Sequence, residues 1–198
     1  ERGDWAAAAA FPVVTAQGLG IPVALSRFTR ALGAARSGNP AAARAEIAAL
    51  DSISTGLADR QETYWARVVG IKRDAAAAWM RFALGDTTGG LKLARAAADS
   101  EEVTDKHPVT PAELLPAREL LADMLLLTGR YQEAGEAYQA TLTRERGRAR
   151  SLFGVARAAE LAGDRAAARA GYRRFLKQMS GTDGYRPELV TARTFIRE

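Results

Sequence analysis

The chain has 198 residues, of which 47% are hydrophobic and 26% are charged, a balance typical of a folded globular protein and not of a disordered one. It contains no cysteine, which excludes disulfides, thiolate metal sites and cysteine nucleophiles and leaves a cytoplasmic or a periplasmic location open. No apolar stretch reaches the roughly 18 residues that a membrane span requires. The net charge of +5 is uneven, because residues 144–198 carry 13 basic and 6 acidic side chains.

Runs of alanine, such as those at 6–10 and 75–78, predict an all-α chain, because alanine has the highest helix propensity and lets helices pack closely. No segment alternates apolar and polar residues at period two with β-branched side chains, so we expect no β-sheet. Glycine, proline and polar turn residues delimit ten predicted helical segments. In chain order they are 4–11, 22–37, 40–54, 58–84, 87–102, 112–128, 131–145, 148–162, 164–179 and 186–198.

A glycine followed by a polar residue recurs between the helical segments. Such a glycine can adopt the positive φ that ends a helix, which other residues adopt only under strain. We therefore predict a positive φ at Gly129 and at Gly163. The pairs are Gly3-Asp4, Gly38-Asn39, Gly85-Asp86, Gly129-Arg130 and Gly163-Asp164, at intervals of 35, 47, 44 and 34 residues.

The last of these intervals repeats in detail, since Ala134, Tyr138 and Leu142 are followed by Ala168, Tyr172 and Leu176, each 34 positions later. Tyr138 and Leu142 lie on one helix face, and a small residue at 134 allows the two helices of a hairpin to approach closely. One hairpin cannot bury its apolar faces alone, so the hairpins must stack. We expect both tyrosines to be buried at equivalent positions.

These residues resemble the 34-residue consensus of the tetratricopeptide repeat family. The matching positions are Leu121-Ala122, Gly129-Arg130-Tyr131, Ala134, Tyr138 and Leu142, and again Val155-Ala156, Gly163-Asp164, Ala168 and Tyr172. Arg118 and Leu152 stand where the family often has tryptophan, and Arg146 where it often has proline. The segments 106–111 and 115–120 are also similar to the C-terminal part of uncharacterised bacterial proteins of this family.

The resemblance implies an α-solenoid of stacked antiparallel helical hairpins, formed as a single domain over residues 1–198. The hairpins are expected at about 22–54, 58–102, 112–145 and 148–179, with a capping helix at 186–198 that closes the stack. The chain begins at Glu1 within what looks like a helix, so we interpret residues 1–12 as the end of a truncated preceding repeat.

The same alignment predicts which side chains face the concave groove in which this family binds peptides. They are Phe28, Leu32, Lys72, Trp79, Phe82, Glu119, Asp123, Arg150, Phe153 and Arg157. For the aromatic residues Trp65, Trp79 and Phe82 of the segment 58–84, packing in the core is an equal alternative. Asn39 is the only asparagine and lies in a predicted turn, so no asparagine-based clamp for a peptide carboxylate is available.

No residue pattern predicts catalysis, a metal site or a cofactor site. His107 is the only histidine, has no serine partner in a strand–turn–helix context and is interpreted as a loop residue. The glycine-rich segment 85–92 lacks the Gly-Lys-Ser/Thr ending of a phosphate loop and is interpreted as a helix–helix turn. Glu101, Glu102 and Asp105 lack the spacing of a calcium loop, which favours a solvated loop. We therefore expect no enzyme.

Basic side chains are concentrated towards the C-terminus. Arg144, Arg146, Arg148 and Arg150 flank a turn, and Arg165, Arg169, Arg173 and Lys177 recur every four residues along one predicted helix. Such a stripe could meet nucleic acid, an acidic protein or a membrane surface. A solvated outer face is the favoured interpretation, and we expect no nucleic acid because few aromatic residues are interleaved for stacking on bases.

The predicted function is a non-catalytic scaffold that binds a protein or peptide in the concave groove. The groove would offer an apolar stretch followed by a charged stretch, which favours a partner with apolar anchors and mixed charge. The alternative from another class is a structural role, either as a self-association module that forms homo-oligomers or as a regulatory module of a longer chain.

Overall fold

The computed structural model describes residues 3–14, 20–105, 113–182 and 186–198. Over these residues the chain forms ten α-helices and no β-strand, as the alanine content and the lack of period-two alternation predict. The helices are α1 (Trp5–Ala9), α2 (Gly20–Arg36), α3 (Pro40–Asp59), α4 (Thr63–Ala83), α5 (Thr87–Glu102), α6 (Ala117–Leu127), α7 (Tyr131–Arg144), α8 (Ala149–Leu161), α9 (Arg165–Gln178) and α10 (Pro187–Arg197).

These helices belong to two compact units, residues 3–105 and residues 113–198, and each unit is described by itself. In the unit 3–105, each helix from α1 to α5 packs against the next, and α2 packs in addition against α4. In the unit 113–198, each helix from α6 to α10 packs against the next, and α6 packs in addition against α8. We call α2, α4, α6 and α8 the first helices, because each opens a helical hairpin. The predicted single domain over residues 1–198 stays a prediction.

The break between the third and fourth helices differs from the prediction. The sequence pattern places it between residues 54 and 58, whereas α3 continues to Asp59 and α4 begins at Thr63. Gln61 reverses the chain with a φ of 63°, and among the described residues it is the only one besides glycine with a positive φ. Gly56, in the predicted gap between the two helices, lies within α3. The break was missed because it lacks the glycine–polar pair of the other turns.

The glycine–polar pairs end one helix and begin the next. Gly129 and Gly163 have φ values of 76° and 84°, which confirms the predicted left-handed turns. Where the polar residue is asparagine or aspartate it also caps the following helix, since the side chains of Asn39, Asp86 and Asp164 each accept a hydrogen bond from the backbone N–H three residues later. Arg130 makes no such side-chain hydrogen bond.

Replacing Gly129 with alanine should destabilise the chain by about 1 to 2 kcal/mol, the strain of a left-handed conformation at a residue with a Cβ. A Cβ at this position would meet no atom within 4 Å, so the loss would come from the backbone alone. The control is Gly135→Ala within α7, where the Cβ would make an ordinary 3.6 Å contact with Ala158. The free energy of unfolding in urea should fall for the first variant and not for the second, and equal losses would contradict the register.

The two equivalent tyrosines are buried, as predicted. Tyr138 is 2% exposed and Tyr172 is fully buried. The backbone of α8 lies against the Tyr138 ring, because a Cβ at Gly154 would be 2.5 Å from the ring carbon Cζ. The Tyr172 ring lies 5.2 Å from the ring of Phe195 on α10, measured between centroids. The tyrosine of each hairpin therefore contacts the helix that follows the hairpin.

Candidate functional site

All ten residues predicted to line a groove lie on the first helices. They fall into two sets, because α2 packs on α4 in one unit and α6 packs on α8 in the other. The unit 3–105 contains Phe28, Leu32, Lys72, Trp79 and Phe82. The unit 113–198 contains Glu119, Asp123, Arg150, Phe153 and Arg157. The burial and contacts of each set determine what the set can offer to a ligand.

In the unit 3–105, most of the predicted groove residues are buried between helices. Phe28, Leu32 and Trp79 are only 1–3% exposed, and Lys72 is buried as well. The Lys72 ammonium on α4 lies 5.5 Å from the ring centroid of Phe28 on α2. Phe82 is half-buried and makes an edge contact with Trp79. These side chains lie where α2 packs against α4. The burial of Trp79 agrees with the alternative interpretation, in which it packs in the core.

A stacked cation joins three helices of the same unit. The guanidinium of Arg36, at the end of α2, lies 3.9 Å from the ring centroid of Trp79 on α4 and 3.9 Å from that of Trp5 on α1. A cation between two indole faces is stabilised by both ring quadrupoles. The indole N–H of Trp79 is buried and has no hydrogen-bond acceptor within the described part of the chain. The stacking contact with Arg36 therefore holds the Trp79 side chain in place.

In the unit 113–198, Glu119 fastens the start of α8 to α6. The Glu119 carboxylate is fully buried and accepts hydrogen bonds from Arg148 Nε at 2.7 Å and from Ser151 Oγ at 2.5 Å. A second nitrogen of Arg148, Nη2, donates to Glu119 Oε1 at 3.0 Å and to the backbone oxygen of Leu114 at 2.8 Å. Buried charges are tolerated where such pairing is complete.

Asp123 continues this network along α6. Its carboxylate contacts the guanidinium of Arg150 and accepts a 2.6 Å hydrogen bond from the Tyr138 hydroxyl. Burial, and then the charge of Asp123, raise the pKa of the Tyr138 phenol, which stays protonated as the donor. Burial acts to lower the pKa of Arg150, but the charge of Asp123 and its hydrogen bond outweigh this effect and raise it. The acidic residues Glu119 and Asp123, predicted to face the groove, therefore both lie against the predicted basic groove residue Arg150.

Arg157 and Phe153 are more accessible to solvent than Glu119 and Asp123. The Arg157 side chain is 34% exposed and pairs with Glu160 one turn later, Nη1 to Oε1 at 2.6 Å. Glu160 also accepts a hydrogen bond from the Tyr172 hydroxyl. Phe153 is half-buried and packs against Tyr172 and Phe175 of α9. Of the residues predicted to line the groove, Phe82, Arg150, Phe153 and Arg157 thus retain some exposed surface.

Two exposed leucines on the first helices were missed by the sequence reasoning. Leu127 at the end of α6 is 62% exposed and Leu161 at the end of α8 is 37% exposed. They are 34 residues apart, and each precedes the turn glycine of its hairpin by two positions. Each also lies one helical turn beyond a predicted groove residue, Asp123 or Arg157. The 34-residue repetition was the signal that could have found them, and we call them the leucine pair.

The C-terminal basic stripe is partly engaged within the unit. The Arg165 guanidinium lies 5.1 Å from the ring centroid of Phe195, and Arg169 Nη1 donates to the backbone oxygen of Ile196 at 3.4 Å. Both contacts fasten α10 to α9. Arg173 and Lys177, further along α9, are exposed. Half of the stripe therefore contributes to packing, and the other half faces solvent.

The remaining chemical candidates are one histidine and three carboxylates. His107 lies outside the described residues, and Glu101, Glu102 and Asp105 lie at and after the end of α5. No group of three or more metal-ligating side chains occurs in the ranges that the structure describes. Over the same ranges, no helix is long and apolar enough to cross a membrane. Comparison of the chain with protein-family models, with curated proteins and with solved structures found no match.

Proposed function

We propose that this protein is a non-catalytic scaffold of the tetratricopeptide kind, which binds a protein or peptide segment on its first helices. The observation that carries the proposal is the leucine pair, an exposed apolar side chain repeated at the same position of two neighbouring first helices. The hairpins that follow one another along the chain, with their first helices packed side by side in each unit, are compatible with a solenoid of this kind.

The leucine pair provides the apolar part of the proposed contact. Single exposed leucines are common on protein surfaces and need no explanation. A leucine repeated on adjacent helices offers two anchor points to one ligand, and full burial of such a side chain contributes roughly 1.5 to 3 kcal/mol. The ligand class that fits is a peptide or helix with apolar side chains on one face.

Polar selectivity would come from the Arg157–Glu160 pair on α8, in which Arg157 precedes Leu161 by one turn and Glu160 precedes it directly. Both side chains are partly exposed, at 34% and 24%, and they present one cation and one anion to a ligand. The network between α6 and α8 adds two charges of each sign, and its members contact one another: Glu119, Asp123, Arg148 and Arg150. A ligand of mixed charge fits this arrangement, and salt should weaken its binding only modestly.

Selection from a displayed library of random peptides tests the proposal. Peptides enriched on the wild-type chain should bind at least tenfold more weakly to a Leu127→Asp, Leu161→Asp variant, because the substitutions place two charges where apolar side chains would be buried. The control is Val190→Asp, an exposed valine on α10 of the same unit. The dissociation constants can be measured by fluorescence anisotropy.

Three outcomes of this experiment would contradict the proposal. No peptide is enriched, the control variant loses as much affinity as the leucine variant, or affinity falls about a thousandfold between roughly 50 and 200 mM salt, as expected for a polyanion on the arginine stripe. A change of oligomeric state that depends on Leu127 and Leu161, without peptide binding, would support the self-association alternative instead.

A further inference from the structure

We propose that the face of α2 covered by residues 3–14 also accepts this segment from a second copy of the chain, so that two copies associate by exchanging it. We call residues 3–14 the N-terminal strap. The proposal concerns the unit 3–105 alone. It is independent of peptide binding by the leucine pair, which lies in the other unit.

The strap follows α2 in the opposite chain direction. Its first residues contact the end of α2, and its last residues contact the first half of α2. The pairs in order are Trp5 with Arg36, Ala8 and Ala9 with Gly33, Phe11 with Arg30, and Val14 with Ser26. The Phe11 contact is a 2.9 Å hydrogen bond from Arg30 Nη1 to the backbone oxygen, and the Val14 contact is a 3.3 Å bond from the backbone N–H to Ser26 Oγ.

Gly33 determines how closely the strap can approach α2. A Cβ at this position would lie 2.3 Å from the backbone nitrogen of Ala9, 2.6 Å from the carbonyl carbon of Ala8 and 2.8 Å from the oxygen of Trp5. The atoms in the way are all backbone atoms, which cannot rotate aside. Glycine inside a helix is less favourable than alanine by about 1 kcal/mol, so its presence here fits a seat for the strap.

No residue of the strap is buried. The helix α1 has five residues and none of them is fully buried, and a helix this short is not stable in isolation. Phe11 and Val14 are exposed. Segments with few buried apolar contacts open at a low free energy relative to global unfolding. The strap can therefore leave α2 while the remaining helices of the unit stay packed.

A second copy is the occupant that the contacts identify. Its strap carries the same tryptophan for the Arg36 guanidinium, the same alanines for Gly33 and the same backbone groups for Arg30 and Ser26. Exchange of an identical segment reproduces every contact between chains without any new complementary surface. The free energy of each contact is unchanged, so chain concentration determines how much exchange occurs.

Two variants that are each defective in a different half of the contact provide the test. Trp5→Ala weakens the strap and leaves the face of α2 intact, whereas Gly33→Ala blocks the face and leaves the strap intact. Each variant alone should be monomeric in sedimentation equilibrium. Their mixture should form a 1:1 complex with a dissociation constant at least tenfold lower than that of either variant with itself.

In the matched control, a Gly70→Ala chain takes the place of the Gly33→Ala chain in the mixture. Gly70 lies in α4, and a Cβ there would make an ordinary 3.6 Å contact with Ser54 Oγ. The strap of this variant stays seated on its own α2, so its complex with Trp5→Ala should be at least tenfold weaker. A mixture of Trp5→Ala and Gly33→Ala that stays monomeric would overturn the proposal. Equal association in the control mixture would overturn it as well, because the interface would then lie elsewhere.

A peptide measurement keeps the proposal testable if the helical circular dichroism signal shows that one variant does not fold. A labelled synthetic peptide of residues 3–14 should bind the full Trp5→Ala chain at least tenfold more tightly than the wild-type chain, whose own strap competes. It should not bind a Trp5→Ala, Gly33→Ala chain. Binding to all three chains alike, or to none of them, would contradict the exchange.

Discussion

Replacing Glu119 with alanine is expected to destabilise the unit 113–198 by about 3 to 5 kcal/mol, because removal of one member of a buried ion pair leaves the others uncompensated. Glu119 is fully buried and is the carboxylate that Arg148 and Ser151 both contact. Arg150 Nε also lies 3.7 Å from its Oε1. The loss should appear in the free energy of urea unfolding measured by circular dichroism.

An exposed ion pair provides the control for this prediction. Glu133 pairs with Arg130 at 2.6 Å, but both side chains are about two-fifths exposed, at 44% and 39%. Surface pairs of this kind contribute between about 0 and 1 kcal/mol, so Glu133→Ala should cost less than 1 kcal/mol. If Glu119→Ala cost no more than Glu133→Ala, the buried network would not contribute to stability as we infer.

Truncation of Tyr172 to alanine should destabilise the same unit by about 3 to 5 kcal/mol, the usual range for a large aromatic side chain in a core. The ring is fully buried and lies 5.7 Å from the ring centroid of Phe153 and 5.2 Å from that of Phe195. Its loss would leave a cavity between α8, α9 and α10. Urea unfolding again gives the measurement.

The conservative variant Tyr172→Phe separates the contribution of the ring to stability from that of the hydroxyl. It removes the hydrogen bond to Glu160 but leaves that carboxylate paired with Arg157 and partly exposed, so its cost should be only about 0.5 to 1.5 kcal/mol. Val190→Ala at an exposed position should cost less than about 0.5 kcal/mol. Equal losses for Tyr172→Ala and Tyr172→Phe would show that packing of the ring is not the main contribution.

The features that the sequence predicted well are local ones. Positive φ at Gly129 and Gly163 depends on a few consecutive residues. Burial of Tyr138 and Tyr172 followed from a repeat of 34 positions and from helical periodicity. The break at Gln61 was missed because glutamine seldom adopts a positive φ and therefore gives no turn signal.

The candidate site shows the limit of the same reasoning. The family alignment assigned the predicted groove residues to helices that open hairpins, and they lie on such helices in each unit. Helical periodicity indicates which residues share a helix face. It does not indicate how closely neighbouring helices approach. Trp79 is buried beside Arg36, and Asp123 pairs with Arg150 across 27 residues of sequence. Such pairings depend on the distance between α2 and α4, or between α6 and α8.

The sequence by itself therefore determined the all-α class, most of the helices and the turns between them, because those depend on backbone preferences within a few residues. Tertiary structure alone decided which side chains of a shared face are buried and which stay exposed. The physical reason is that burial depends on the neighbouring helix as much as on the residue. Glu119 is fully buried because Arg148 and Ser151 cover it, whereas Leu127 at the end of the same helix stays exposed.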